Sequence, residues 1–182
     1  MSGVVRPCVG RRLLCAGVAL AIAFALFRSQ IADGLVVRGD ESLYRADSSS
    51  ALGYYSRALA FDADSAAAVD RYAFVAAMLR EPRDLRAAVA ICSRYLTRHG
   101  RDSVVRMDRA MAERSLGDHR RAFDDFRTVG QATSNAAAFA FAGSEAAKLR
   151  RRDLADPMWR SALRLAPGFP IALHALRRER SH

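Results

Sequence analysis

The chain has 182 residues, 51% hydrophobic and 26% charged, which is enough for one domain with a core and too apolar for disorder beyond the ends. Its net charge of +10 invites nucleic acid or anionic lipid as a partner, yet residues 33–147 carry 16 Arg against 16 Asp plus Glu. The excess is confined to the N-terminus and to residues 148–182, with nine Lys plus Arg against three acids, so no nucleic acid is expected as a partner.

The chain opens on a basic segment, 1–12, in which Arg6, Arg11 and Arg12 precede "LLCAGVALAIAFALF", the uncharged run Leu13 to Phe27. This is a charged n-region followed by an apolar h-region. Fifteen residues fall short of the roughly 17–25 that span a bilayer, but Arg28 could snorkel and let Ile31 and Ala32 extend the span to 13–32. A cleaved signal peptide is the competing reading, with Ala23-Phe24-Ala25 as its small-x-small site. The apolar residues around that site favour an uncleaved transmembrane anchor. Basic residues ahead of the span hold the N-terminus in the cytoplasm. The expectation is a single-pass protein of the inner membrane with a periplasmic body, or a secreted body after cleavage near Ala25. Cys8 and Cys15 fall in the N-terminal segments and Cys92 is alone in the body, so no disulfide closes there.

From residue 33 on, one pattern returns: Ala, three residues, an aromatic, two residues, Ala, four residues, Pro. Ala51, Tyr55, Ala58 and Ala63 follow it with the proline replaced. Ala88, Cys92, Tyr95 and Gly100 form a degenerate copy, and Ala122, Phe126, Val129 and Ser134 a better one. Ala155, Trp159, Ala162 and Pro167 fit completely. The leading alanines are 37, 34 and 33 residues apart. Twelve residues before three of them stand Gly39, Ala110 and Gly143, small side chains that let two helices approach closely. In the second copy Ala73 lies fifteen before Ala88, and the three extra residues are assigned to the turn "REPRD", where Pro82 must break a helix.

These phased residues resemble the tetratricopeptide repeat (TPR) family. The resemblance implies an all-α, right-handed α-solenoid of about four helical hairpins, at 33–65, 66–102, 103–135 and 136–169. A capping helix over 170–182 ends it, with Ile171, Leu173 and Leu176 covering the stack. It implies a ligand groove lined by the first helix of each hairpin. The matching positions are Val36, Asp40, Leu43 and Tyr44; Asp70, Phe74, Ala77 and Met78; Val104, Met107, Met111 and Arg114; and Ala137, Ala140, Ser144 and Lys148. Phe74 and the three methionines make an adaptable apolar surface for a helix or extended peptide. The methionines can equally be core between adjacent helices. The family's chaperone-tail clamp needs paired Lys and Asn, and one Lys with one Asn outside the groove does not supply it.

No catalytic or metal-binding pattern stands out, and no enzyme or cofactor is expected. Asp124 and Asp125 point roughly 100° apart on a helix, and Asp125 resembles a residue that pairs with the Arg before the small position, here Arg109. Function then belongs to the surface: a non-enzymatic adaptor binding a partner protein or further copies of itself. The alternative is an anionic polymer or lipid headgroup on the basic turn Lys148, Arg150, Arg151 and Arg152, with Asp153 placed to cap the next helix, Pro157 in its first turn and Trp159 buried as packing.

Overall fold

The computed structural model describes residues 9–179, and the side chains of residues 23, 24 and 27–178. Among these residues the chain forms nine α-helices and no strand. They are α1 Val9–Tyr44, α2 Ser48–Phe61, α3 Ala66–Leu79, α4 Pro82–Arg98, α5 Ser103–Leu116, α6 His119–Thr133, α7 Ala136–Lys148, α8 Arg152–Leu165 and α9 Pro170–Glu179. Short polar side chains set the helix starts by accepting otherwise unpaired N–H groups. Asp47 accepts from Ser50 N, Ser65 from Ala68 N, Asp102 from Val104 N and Val105 N, Asp118 from Arg121 N, and Asn135 from Ala138 N.

Each hairpin is built on its small residue. Gly39 lies under the Tyr55 ring and Gly143 under the Trp159 ring, where an added Cβ would come within 2.5 Å of the indole. Glycine is needed at these two positions because the partner helix brings an aromatic ring where a side chain would start. Tyr55, Phe126 and Trp159 are buried as a result, at 0%, 0% and 4% exposure. Burying a ring of this size contributes on the order of 2–3 kcal/mol.

The turn inside each hairpin follows one rule that the sequence hides. Seven residues past Gly39, Ala73, Ala110 and Gly143 stand Ala46, Arg80, Gly117 and Arg150, all in the left-handed region with φ of 61°, 58°, 82° and 58°. Nine past the same four residues begin α2, α4, α6 and α8. Only the third copy places glycine where this φ favours it, and the other three hold an L side chain there at a cost of about 1 kcal/mol. The three extra residues of the second copy are therefore not in the turn, as expected, but in α4, which has 17 residues against 14 in α2 and α8. A turn fixed at Arg80 and Glu81 cannot absorb them, while a helix takes three residues as nearly one more turn. Pro82 opens α4 at its first position, where its missing N–H costs nothing.

Hairpins stack through α1 on α3 and α3 on α5, and α9 closes the far end on α7 and α8. Two apolar cores result. One joins α1–α4 with Val105 and Ala112 of α5, and the other joins Ala110 of α5 with α6–α9. In the cap, Ala172 is buried and Leu176 packs on the core, while Ile171, expected to cover the stack, is 37% exposed. The face that meets the solenoid is Ala172, Ala175 and Leu176, at helical spacing.

Residues 1–8 lie outside the described residues. The expected anchor, 13–32, has a helical backbone within α1, but the side chains of residues 13–22, 25 and 26 are likewise outside the described set. No helix among the described residues is long and apolar enough to cross a membrane. From Arg28 the helix belongs to the scaffold. Arg28 donates from Nε to the Phe61 carbonyl at the end of α2 (2.8 Å), and Ala32 and Val36 are buried in the first core.

Candidate partner-binding groove

The first helices of the hairpins present the expected groove residues in very different states. Val36, 8% exposed, is core and contributes packing. Asp40 accepts from Tyr55 Oη (2.7 Å) and pairs with Arg71 Nε (3.1 Å), so its charge is engaged at the hairpin junction. Tyr44, at the end of α1, is 94% exposed and touches little.

On α3 and α5 the groove opens. Phe74 and Met78 are half exposed, at 50% and 54%, on a folded apolar element. With Ala73, Ala77, Arg80, Asp108 and Met111 they line a recess of about 390 Å³. Met111 and Met107 also pack partly on the second core. The reading of the methionines as core therefore holds in part for these two and not for Met78. Asp70 stands on the α3 side, paired only weakly with Arg71 at 3.4 Å. The residue that sequence reading missed is Asp108. Its Oδ2 is buried and receives no bond from an N–H donor, and burial first, then the Asp70 charge and a carboxyl–carboxyl hydrogen bond with Asp70, push its carboxyl up to about 8. It sits one residue off the groove row, between Met107 and Arg109. The available signal was a carboxylate two residues before the small position Ala110, facing Asp70 one repeat earlier.

Farther along, the equivalent surface is filled by the protein's own ions. Glu145 is fully buried and accepts from Lys148 Nζ (3.1 and 3.3 Å), while Arg114 Nε (3.1 Å) and His119 Nδ1 (2.7 Å) close on it. Arg114 also lies over the Phe141 ring at 4.9 Å. Arg114 and Lys148 are thus fixed in place by a carboxylate the sequence reading did not use. A Glu inside the Ala-rich run "AAAFAFAGSEAAK" was the available hint. On the other side of α5, Arg109 grips Asp125 through Nε (2.7 Å) and Nη2 (2.9 Å), and Arg106 adds a third contact at 3.2 Å. This is the expected structural pair. Asp124 and Asp125 do line one recess of about 320 Å³, but both oxygens of Asp125 are occupied. Glu113, 4% exposed, borders the same recess, and burial pushes it up to about 7.

The basic turn comes apart in space. Lys148 serves Glu145, and Arg151 is held by Asp153 at 2.9 and 2.7 Å. Arg150 occupies the left-handed turn position. Arg152 begins α8, where it borders a recess of about 510 Å³ with Asp153, Asp156, Pro157, Arg160, Ser161 and Arg164, a surface of mixed sign. Asp153 does not cap α8. The cap residue is Arg151, without a side-chain bond, because the fixed turn starts the helix one residue before Asp153. For the same reason Pro157 falls in the second turn, not the first, and removes one backbone hydrogen bond. Cys92 is fully buried, with its thiol pushed up to about 12 by burial, an inert apolar residue.

Comparison with known proteins bears on the fold. No family model matches the chain, and no curated protein does. Solved structures match well: MamA, 16% identical over 74% of this chain and 77% of its own, has a TM-score of 0.67. PilF of Pseudomonas aeruginosa, 20% identical over 85% of this chain and 71% of its own, reaches 0.66. A tetratricopeptide repeat protein of Parabacteroides merdae, 17% identical over 79% of this chain and 56% of its own, reaches 0.64. At these identities the likeness is one of architecture. The chain has the tetratricopeptide repeat fold.

Proposed function

We propose that this protein is a non-enzymatic adaptor that holds an apolar helix or extended segment of a partner protein in the groove over α3 and α5. The observation that carries this reading is the recess bounded by Phe74, Met78 and Met111, apolar side chains left half exposed or partly open between two stacked helices. Repeat scaffolds of this fold act through surface, and apolar surface of this kind marks contact with another molecule. The testing experiment is capture of the partner by wild type and by Phe74→Ala with Met111→Ala. The double variant is expected to lose capture with its helical content intact. Unchanged capture in a pull-down rules the groove out.

The adaptor is further proposed to sit at the inner membrane, anchored by the apolar run 13–27 and not by the expected 13–32, since Arg28 and Ala32 pack in the scaffold, with its body on the periplasmic side. Two features support this. The apolar run Leu13–Phe27 continues into the first hairpin as one helix, and Phe24 and Phe27 are exposed, at 62% and 61%, just ahead of it. Protease accessibility in spheroplasts tests the topology: protection of the repeats only in intact cells is expected, and protection in both is not. The basic turn is not adopted as a second binding site, since Lys148 and Arg151 are already spent on Glu145 and Asp153.

A further inference from the structure

The α3–α5 recess has a chemical asymmetry that limits what can occupy it. Its floor and one wall are apolar, from Ala77, Phe74, Met78 and Met111. Its other wall is Asp108, with one carboxylate oxygen buried and unpartnered. Asp70 stands beside Asp108 as a second carboxyl close enough to share a proton with it, and meets its sequence neighbour Arg71 at 3.4 Å. Among the cations nearby, Arg71 is shared between Asp40 and Asp70 and Arg109 is held by Asp125, so neither pairs with Asp108 itself. Arg80, at the rim, is exposed and held in the left-handed conformation by the turn.

A buried carboxyl oxygen without a donor is costly, and a ligand cation can supply what is missing. Two carboxyls on adjacent helices favour a positive charge between them, because it relieves their repulsion and pairs the orphaned oxygen. The apolar wall in contact with them asks for the stem of a long side chain and for aliphatic or aromatic neighbours along the same segment. Arg80 at the rim repels a second positive charge, so a polybasic tail is a poor occupant and a single cation in an apolar context is a good one.

We propose that the groove takes a partner segment carrying one Lys or Arg, seated between Asp108 and Asp70, with the segment's apolar side chains on Phe74, Met78 and Met111. This rests on the groove reading above and adds the chemistry of its occupant. A wholly apolar segment brings Asp108 no cation and desolvates it further, and an acidic one meets two carboxyls. Discrimination against both is therefore built into the floor of the site and not into its rim.

The test is peptide selection from a random library displayed on phage, against the full chain in detergent. Peptides are sorted by whether binding is lost on Phe74→Ala with Met111→Ala. Groove-dependent peptides are expected to share one Lys or Arg among apolar residues. Changing that residue to Gln in a synthetic peptide should weaken binding to the wild type about tenfold, and to Asp108→Asn hardly at all, the coupling expected of a paired charge. Asp108→Asn removes a buried acid, keeps the side-chain shape, and is checked for intact helicity by circular dichroism. Groove-dependent peptides without a basic residue, or equal losses in wild type and Asp108→Asn, overturn the proposal and leave the groove reading standing. If no selected peptide depends on Phe74 and Met111, the groove reading fails and takes this proposal with it.

Discussion

The two halves of the solenoid use the same repeat positions for opposite ends. Over α3 and the facing side of α5, the groove row holds Phe74 and Met78 half exposed, and Asp108 beside the row has an oxygen that receives no N–H donor. From Arg114 on, the row is closed: Arg114, His119 and Lys148 all converge on Glu145, and the Phe141 ring is covered by Arg114. Along the groove, the first half leaves apolar side chains open, and the second ties its cationic ones to a buried carboxylate. In a repeat protein the groove is thus not a uniform surface. A position becomes a binding position only where the neighbouring repeat has left its side chain without an internal partner.

The sharpest way to break this contrast is to disarm the closed half. Glu145→Ala leaves Arg114, Lys148 and His119 around an empty, fully buried site, and a loss of about 3 kcal/mol, the low end for a broken buried pair because both cations reach water, is expected in chemical denaturation. Phe74→Ala, at the equivalent level of the open half, is expected to cost within about 1 kcal/mol because its ring is half in water already. Equal losses would mean that the open half is as structural as the closed one.

A second way is titration. Asp108 is pushed up to about 8 and Glu113 to about 7, from ordinary values of 3.8 and 4.5. The folded chain then keeps both protons over a range in which the unfolded chain has released them. The native state binds more protons, so stability falls as pH rises from about 4 to about 8. Asp108→Asn is expected to flatten the upper part of this slope and raise the melting temperature at pH 8. Glu113→Gln is expected to flatten the part below 7. A melting temperature that rises over the same range in wild type would contradict the burial of both carboxyls.

The smallest effect concerns the turns. Arg150→Gly is expected to stabilise by about 1 kcal/mol, since glycine adopts positive φ freely. Arg80→Gly should give the same gain in stability, but it also removes the rim charge beside the recess. A change in peptide preference with Arg80→Gly and not with Arg150→Gly would sharpen the contrast between the two halves.

Much of the architecture was legible in the sequence because close packing leaves few choices. Gly39 with Tyr55 and Gly143 with Trp159 are forced pairs, and their constant spacing announced the hairpins. The position of the insertion was not legible, since a helix and a turn can each absorb three residues. What excluded the turn was its left-handed residue at Arg80, a backbone property that arginine does not advertise. The same displacement misled the reading of Asp153 and Pro157, which depends on where α8 starts to within one residue. For the groove, Asp70, Phe74, Met78 and Met111 were found by position. Asp108 and Glu145 were not, because their importance lies in whether a neighbouring helix supplies a partner. That depends on side chains 38 and 31 residues away, at Asp70 and Arg114, and no local pattern carries it.

The methionines provide the most direct test of the open groove. In the full chain labelled at methionine methyls, a peptide selected on wild type without any sorting against groove variants is added, and the methyl resonances are followed. Met78 and Met111 are expected to shift together, while Met158 of α8 stays in place. Shifts at Met158 with Met78 and Met111 unmoved would place binding in the closed half of the solenoid and contradict an open groove over α3 and α5.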